Sequence, residues 1–165
     1  SLETARKLND DKAMSVSINE LLGDAYHQTG EHEKSDKSYD AVLAIDPDNT
    51  RVLNNYCFYL SLRKTRLEEA GKMTERLLKL DPSNNSYLDT HAWVLFARGK
   101  YKEARKWIEK VIASGAANPV HIEHYGDILF QLGETDEAVR QWELALSMNS
   151  RNDLLRKKIL NRRLN

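Results

Sequence analysis

The chain is poor in the residues that cross-link or catalyse. Its one cysteine, Cys57, excludes an internal disulfide framework and any thiolate metal cluster. No apolar run reaches the roughly eighteen residues of a membrane-spanning helix, and no charged-then-apolar leader opens the sequence. Glycine-rich phosphate loops, a nucleophile elbow and paired carboxylates in a recognisable setting are absent. Net charge is zero, with 25 basic and 25 acidic residues, so overall charge gives no case for a nucleic-acid or acidic partner.

What is present is patterned. Residues 16–49 carry two basic and eight acidic residues, 50–84 seven and four, 85–118 six and three, and 119–152 two and six. The tail from Asp153 carries five basic residues and one acidic. These bands coincide with a repeat. Small residues recur at Ser35, Ala70, Ala104 and Ala138, in steps of 35, 34 and 34. A second small series, Gly23, Cys57, Ala92 and Gly126, keeps the period, as do Tyr39, Thr74, Ile108 and Trp142. Gly30, Gly99 and Gly133 stand at equivalent points where a helix needs a left-handed end. The second unit has RKTRL and one extra residue there, so its turn should be irregular. Asp46-Pro47 and Asp81-Pro82 close units, because proline cannot continue a helix. Each unit therefore reads as two amphipathic helices and two turns.

This pattern resembles the tetratricopeptide repeat over four units: 16–49, 50–84, 85–118 and 119–152. In the fourth, Ile122, Tyr125, Gly126, Leu129, Gly133, Ala138, Trp142 and Ala145 fall on the family's signature positions. Ser35, Thr74, Ala116 and Ser150 depart from them. The resemblance implies an all-α fold, a right-handed α-solenoid of antiparallel helix pairs. It extends to bacterial repeat proteins, which points to the cell envelope or periplasm, with the cytoplasm as the alternative. The pentatricopeptide relatives that read RNA fit the small, aromatic and Asp-Pro positions less well. Residues 153–165 read as a capping helix with Leu154, Leu155, Ile159 and Leu160 on one side. Residues 1–15 read as the end of a preceding helix, with Leu2, Ala5 and Leu8 at helical spacing, followed by a linker. A start in mid-repeat suggests a piece of a longer protein.

The stretch DTHAWVLFAR, residues 89–98, places an acid, a hydroxyl and an imidazole close together. On a helix only side chains three or four apart meet, so Asp89 cannot orient His91. His91 falls at an inward position and is expected in the core. HIEH at 121–124 could offer two imidazoles to zinc or nickel, but lacks further ligands and reads as solvated surface. No metal, cofactor, catalytic residue or small-molecule substrate is expected.

In the family, positions 5, 9 and 12 of each first helix line the concave groove. Here they are Glu20, Asp24 and His27; Asn54, Phe58 and Ser61; Asp89, Trp93 and Phe96; and Glu123, Asp127 and Phe130. All but Ser61 are taken as candidate partner-binding residues. Five acids and four aromatics, with no lysine or arginine, would favour a protein or peptide segment bearing basic and apolar side chains. The plainer alternative is that the aromatics pack on neighbouring helices. The family's carboxylate clamp for a chaperone tail is not expected, since its cation positions hold Glu20, Ser86 and Thr90 in one possible window and Asn54, Val120 and His124 in the other. The function expected is a non-enzymatic interaction scaffold. The rival is a nucleic-acid or anionic-surface binder using Lys72, Arg76, Lys79, Lys102, Lys106, Lys110 and the basic tail.

Overall fold

The period fixes the architecture because each unit must bury one face of both helices against its neighbours. The computed structural model describes residues 2–164, with side chains from residue 3; Ser1, Asn165 and the Leu2 side chain lie outside the described residues. Among them are nine helices and no strand: α1 (Leu2–Gln28), α2 (His32–Ile45), α3 (Thr50–Arg63), α4 (Leu67–Leu80), α5 (Asn85–Ala97), α6 (Tyr101–Ala113), α7 (Pro119–Gln131), α8 (Thr135–Met148) and α9 (Asp153–Asn161). The helices pack as α1·α2, α3·α4, α5·α6 and α7·α8, and each pair leans on the next, giving an all-α solenoid. None of the described helices is long and apolar enough to cross a membrane.

Helix ends follow the sequence closely. Each first helix after α1, and α9, begins at an asparagine: Asn49, Asn84, Asn118 and Asn152 all cap with their side chains. Gly30, Gly99 and Gly133 take φ of 78°, 75° and 85° after α1, α5 and α7, where a Cβ would be strained. In the second unit Lys64 and Arg66 adopt φ of 53° and 48° instead. Arg66 is held there by Asp40, Glu69 and the Tyr56 hydroxyl.

The repeating series form the interior. Tyr39, Thr74, Ile108 and Trp142 are at most 1% exposed, and Ala70, Ala104 and Ala138 are fully buried. A Cβ on Gly23 would lie 2.5 Å from the Tyr39 ring, and one on Gly126 would lie 2.5 Å from Trp142. Glycine therefore stands where the opposing side chain is a large ring; Cys57 and Ala92 stand where the repeat has Thr74 and Ile108. Burial pushes the Cys57 thiol pKa up, leaving it inert. Two departures from the family pattern are polar repairs. Ser35 Oγ donates to Gly23 O at 2.8 Å. Thr74 Oγ1 lies 2.8 Å from His91 Nδ1, and His91 meets the Trp107 ring edge-on at 4.9 Å. His91 is thus a bonded core histidine whose pKa burial lowers.

Two end readings need correction. The linker before residue 16 is absent: α1 runs unbroken from Leu2 to Gln28, since nothing in DDKAMSVS breaks a helix. In α9 the four apolar residues do not share a buried face. Leu155 is buried and Ile159 packs on the last core cluster, whereas Leu154 and Leu160 are exposed. Lys158, one residue before Ile159, takes the inward place instead.

Candidate partner-binding site

Asparagine caps set where α3, α5 and α7 begin, and that register places Asn54 and Phe58 of α3 beside Asp89 of α5. The five acids do not form one open acidic surface: each is already held by a neighbouring side chain. Glu20 accepts from Asn49 Nδ2 at 2.6 Å and from Arg51 at 2.7 Å. Asp24 accepts from the Tyr39 hydroxyl and from Arg51. At the far end Glu123 accepts from Asn152 Nδ2 at 3.1 Å and from Lys158 at 2.7 Å. Asp127 accepts from Trp142 Nε1 at 2.9 Å and from Lys158 at 2.8 and 2.9 Å. Asp89, 6% exposed, has both oxygens on His124 Nδ1 at 2.9 and 3.0 Å.

These bonds correct the expectation of an acidic groove without cations. Arg51 of α3 and Lys158 of α9, each two helices beyond its acids, reach back and neutralise them at the two ends. Burial pulls the Asp127 pKa up, against the lowering effect of Lys158; the Lys158 pKa is raised by its two carboxylates against its own burial. Both ions are paired and hydrogen-bonded, which is what makes their burial tolerable.

The aromatics behave differently. Trp93 stacks face to face on Phe96, 4.6 Å between centroids at 5°, and on His124, 4.0 Å at 16°. Phe96 meets Tyr101 edge-on at 5.3 Å, and Phe58 lies 6.3 Å from His124. Phe58, Trp93 and Phe96 are all half-buried. With His124 of α7 they make a strip of rings across α3, α5 and α7 that is partly packed and partly open. Phe130 tilts against Trp142 at 5.8 Å and belongs with the last core cluster. His27 stacks on Tyr59 at 3.4 Å, with its pKa lowered by burial. Ser61 is 2% exposed and donates to Phe58 O, so it faces the core. Asn54 lines a cleft between α3, α5 and α7, its Oδ1 enclosed without a partner.

HIEH is also corrected: both histidines are 8% exposed, not solvated. His121 completes a capping box with Asn118, and burial lowers its pKa. His124 carries the Asp89 bond and the Trp93 stack. No group of three or more potential metal ligands forms among the described residues. His124 is the residue of this face that sequence reasoning did not choose; its signal was position 6, one beyond the position-5 acids, where Lys158 also lies 35 residues after its carboxylate.

Comparison with known proteins agrees with the repeat fold. The family model for the tetratricopeptide repeat matches residues 16–49, and the model for anaphase-promoting complex, cyclosome, subunit 3 matches residues 63–143. A TPR repeat-containing protein of Pseudomonas aeruginosa, PA4667, is 36% identical over 59 residues. The match covers 36% of this chain and 10% of that protein, so the chain spans about a tenth of its relative. Among solved structures, a tetratricopeptide repeat protein from Parabacteroides merdae superposes with a TM-score of 0.78 at 19% identity, covering 95% of this chain and 66% of the other. PilW, a type IV pilus biogenesis factor, gives 0.77 at 20% identity, covering 97% and 74%.

Proposed function

We propose, from the premise that this chain belongs to the tetratricopeptide repeat family, that it is a non-enzymatic scaffold that holds a protein or peptide segment against the face lined by α1, α3, α5 and α7. The observation that carries this reading is the partly exposed aromatic strip of Phe58, Trp93 and Phe96. Aromatic side chains offer large contact area at small entropic cost, and they dominate binding where they cluster at the centre of an interface.

The partner's anchors on this reading are chiefly apolar. A basic side chain would have to displace Arg51 or Lys158 from carboxylates they already hold, so charge contributes at the rim. The rival polyanion reading loses support from the repeat itself. Lys37, Lys72, Lys106 and Arg140 occupy one column, and Asp40, Glu75, Glu109 and Glu143 follow each of them by three residues. Arg76 is bound to Asp48 at 2.5 Å. The ridge therefore alternates in sign instead of presenting a cationic track.

The test is selection from a random-peptide display library on the folded chain, followed by isotherms with the enriched peptides. Trp93→Ala should weaken them by more than about thirtyfold, equivalent to about 2 kcal/mol. Peptides that bind Trp93→Ala and Phe96→Ala as well as the parent would overturn the reading.

A further inference from the structure

Between α3, α5 and α7 lies a cleft of about 230 Å³ whose walls include Asn54, Phe58, Asp89, Val120 and His124. One imidazole in it is unusually constrained. Asp89 holds His124 Nδ1 with both oxygens, and Trp93 covers the ring face at 4.0 Å, so the ring cannot turn. The carboxylate holds a proton on Nδ1, and in that tautomer Nε2 is the ring's acceptor. Nε2 makes no hydrogen bond among the described residues, on a ring that lines the cleft. The Phe58 ring, 6.3 Å from that imidazole, supplies an apolar wall, and Val120, 52% exposed, forms the rim. Asp89 is nearly closed off, and His121 is occupied by Asn118, so neither offers a free charge to an incoming group.

We propose that this cleft receives one aromatic side chain with a polar handle, a partner's tyrosine or tryptophan, whose O–H or N–H donates to His124 Nε2 while its ring lies on Phe58. Such side chains combine an apolar body with a single donor, the two features the cleft displays side by side. The inference rests on the concave-face reading above and deepens it.

The probes are N-acetyl-tyrosinamide, N-acetyl-phenylalaninamide and N-acetyl-lysinamide, titrated into the intact chain while the imidazole and Phe58 NMR signals are followed. The tyrosine probe should shift His124 and Phe58 saturably in the millimolar range and bind at least about fivefold more tightly than the phenylalanine probe, the effect of one ordinary net hydrogen bond. His124→Phe keeps a ring for the stack and removes both nitrogens; it should make the tyrosine and phenylalanine probes equal. Equal binding to the parent chain, stronger binding of the lysine probe, saturation elsewhere, or no saturable binding would each overturn the proposal. Because the probes need no partner, a failure here is distinguishable from a failure of the peptide test of the scaffold.

Discussion

In the first and fourth units the large ring sits on the second helix, as Tyr39 or Trp142, over a glycine on the first, Gly23 or Gly126. The residue after that glycine is an acid, Asp24 or Asp127, and it accepts the ring's own donor. In the second and third units the second helix has Thr74 or Ile108, the glycine becomes Cys57 or Ala92, and the acid becomes Phe58 or Trp93. The aromatic payload has moved from the buried side to the concave side. One repeat geometry thus yields two chemistries: outer units whose polar groups are spent on holding the array together, and middle units whose rings remain partly open. Acids that look like a binding surface in sequence are fasteners at the ends, and the partly open rings are left to the middle.

The largest predicted effect lies in an outer unit. Trp142→Ala removes a fully buried ring and leaves Asp127 without its indole partner, and should cost about 3–5 kcal/mol in urea denaturation. A loss under 1 kcal/mol would erase the contrast. Gly126→Ala forces a Cβ into the same ring and should cost about 1–3 kcal/mol, but much less in the Trp142→Ala background. Additive losses would show that the glycine is there for another reason. A smaller effect concerns pH. His27, His91 and His121 all have pKa values lowered by burial, so below the ordinary value of 6.5 the unfolded chain takes up protons before the folded one. Stability should be level above about pH 6.5 and decline below it, with a shallower decline in His91→Gln. A decline that starts on the alkaline side would contradict the burial of these rings. Smallest of all, Lys106→Ala, an exposed member of the outer ridge, should change stability by no more than about 0.5 kcal/mol.

Much of this was legible in the sequence because a solenoid writes its packing into a period. The small and large series at steps of 34 and 35 gave the helix pairs, the buried ring of Trp142, the glycine turns and the irregular second turn. The asparagine caps at 49, 84, 118 and 152 were legible in the same way, at the same steps, but their polarity masks them as loop residues. The site was legible only by position. Which residues line the face follows from register; what those side chains already hold does not. Arg51 and Lys158 reach carboxylates 27 to 35 residues away, and His124 lies 35 residues beyond Asp89, so these partnerships form only after the units stack. Surface polarity in a sequence gives no sign of whether an acid waits for a partner or has one.

The contrast between fastening ends and an open middle is tested most directly by urea denaturation of Asp127→Ala beside Trp93→Ala. Asp127→Ala strips Trp142 Nε1 of its acceptor and Lys158 of a buried carboxylate, and should cost about 3–5 kcal/mol. Trp93→Ala forfeits two ring stacks at a half-exposed position, and should cost about 1–2 kcal/mol. The account predicts that order and that gap. A Trp93→Ala variant less stable than Asp127→Ala would contradict it, making the middle ring the fastener and the outer acid the free group.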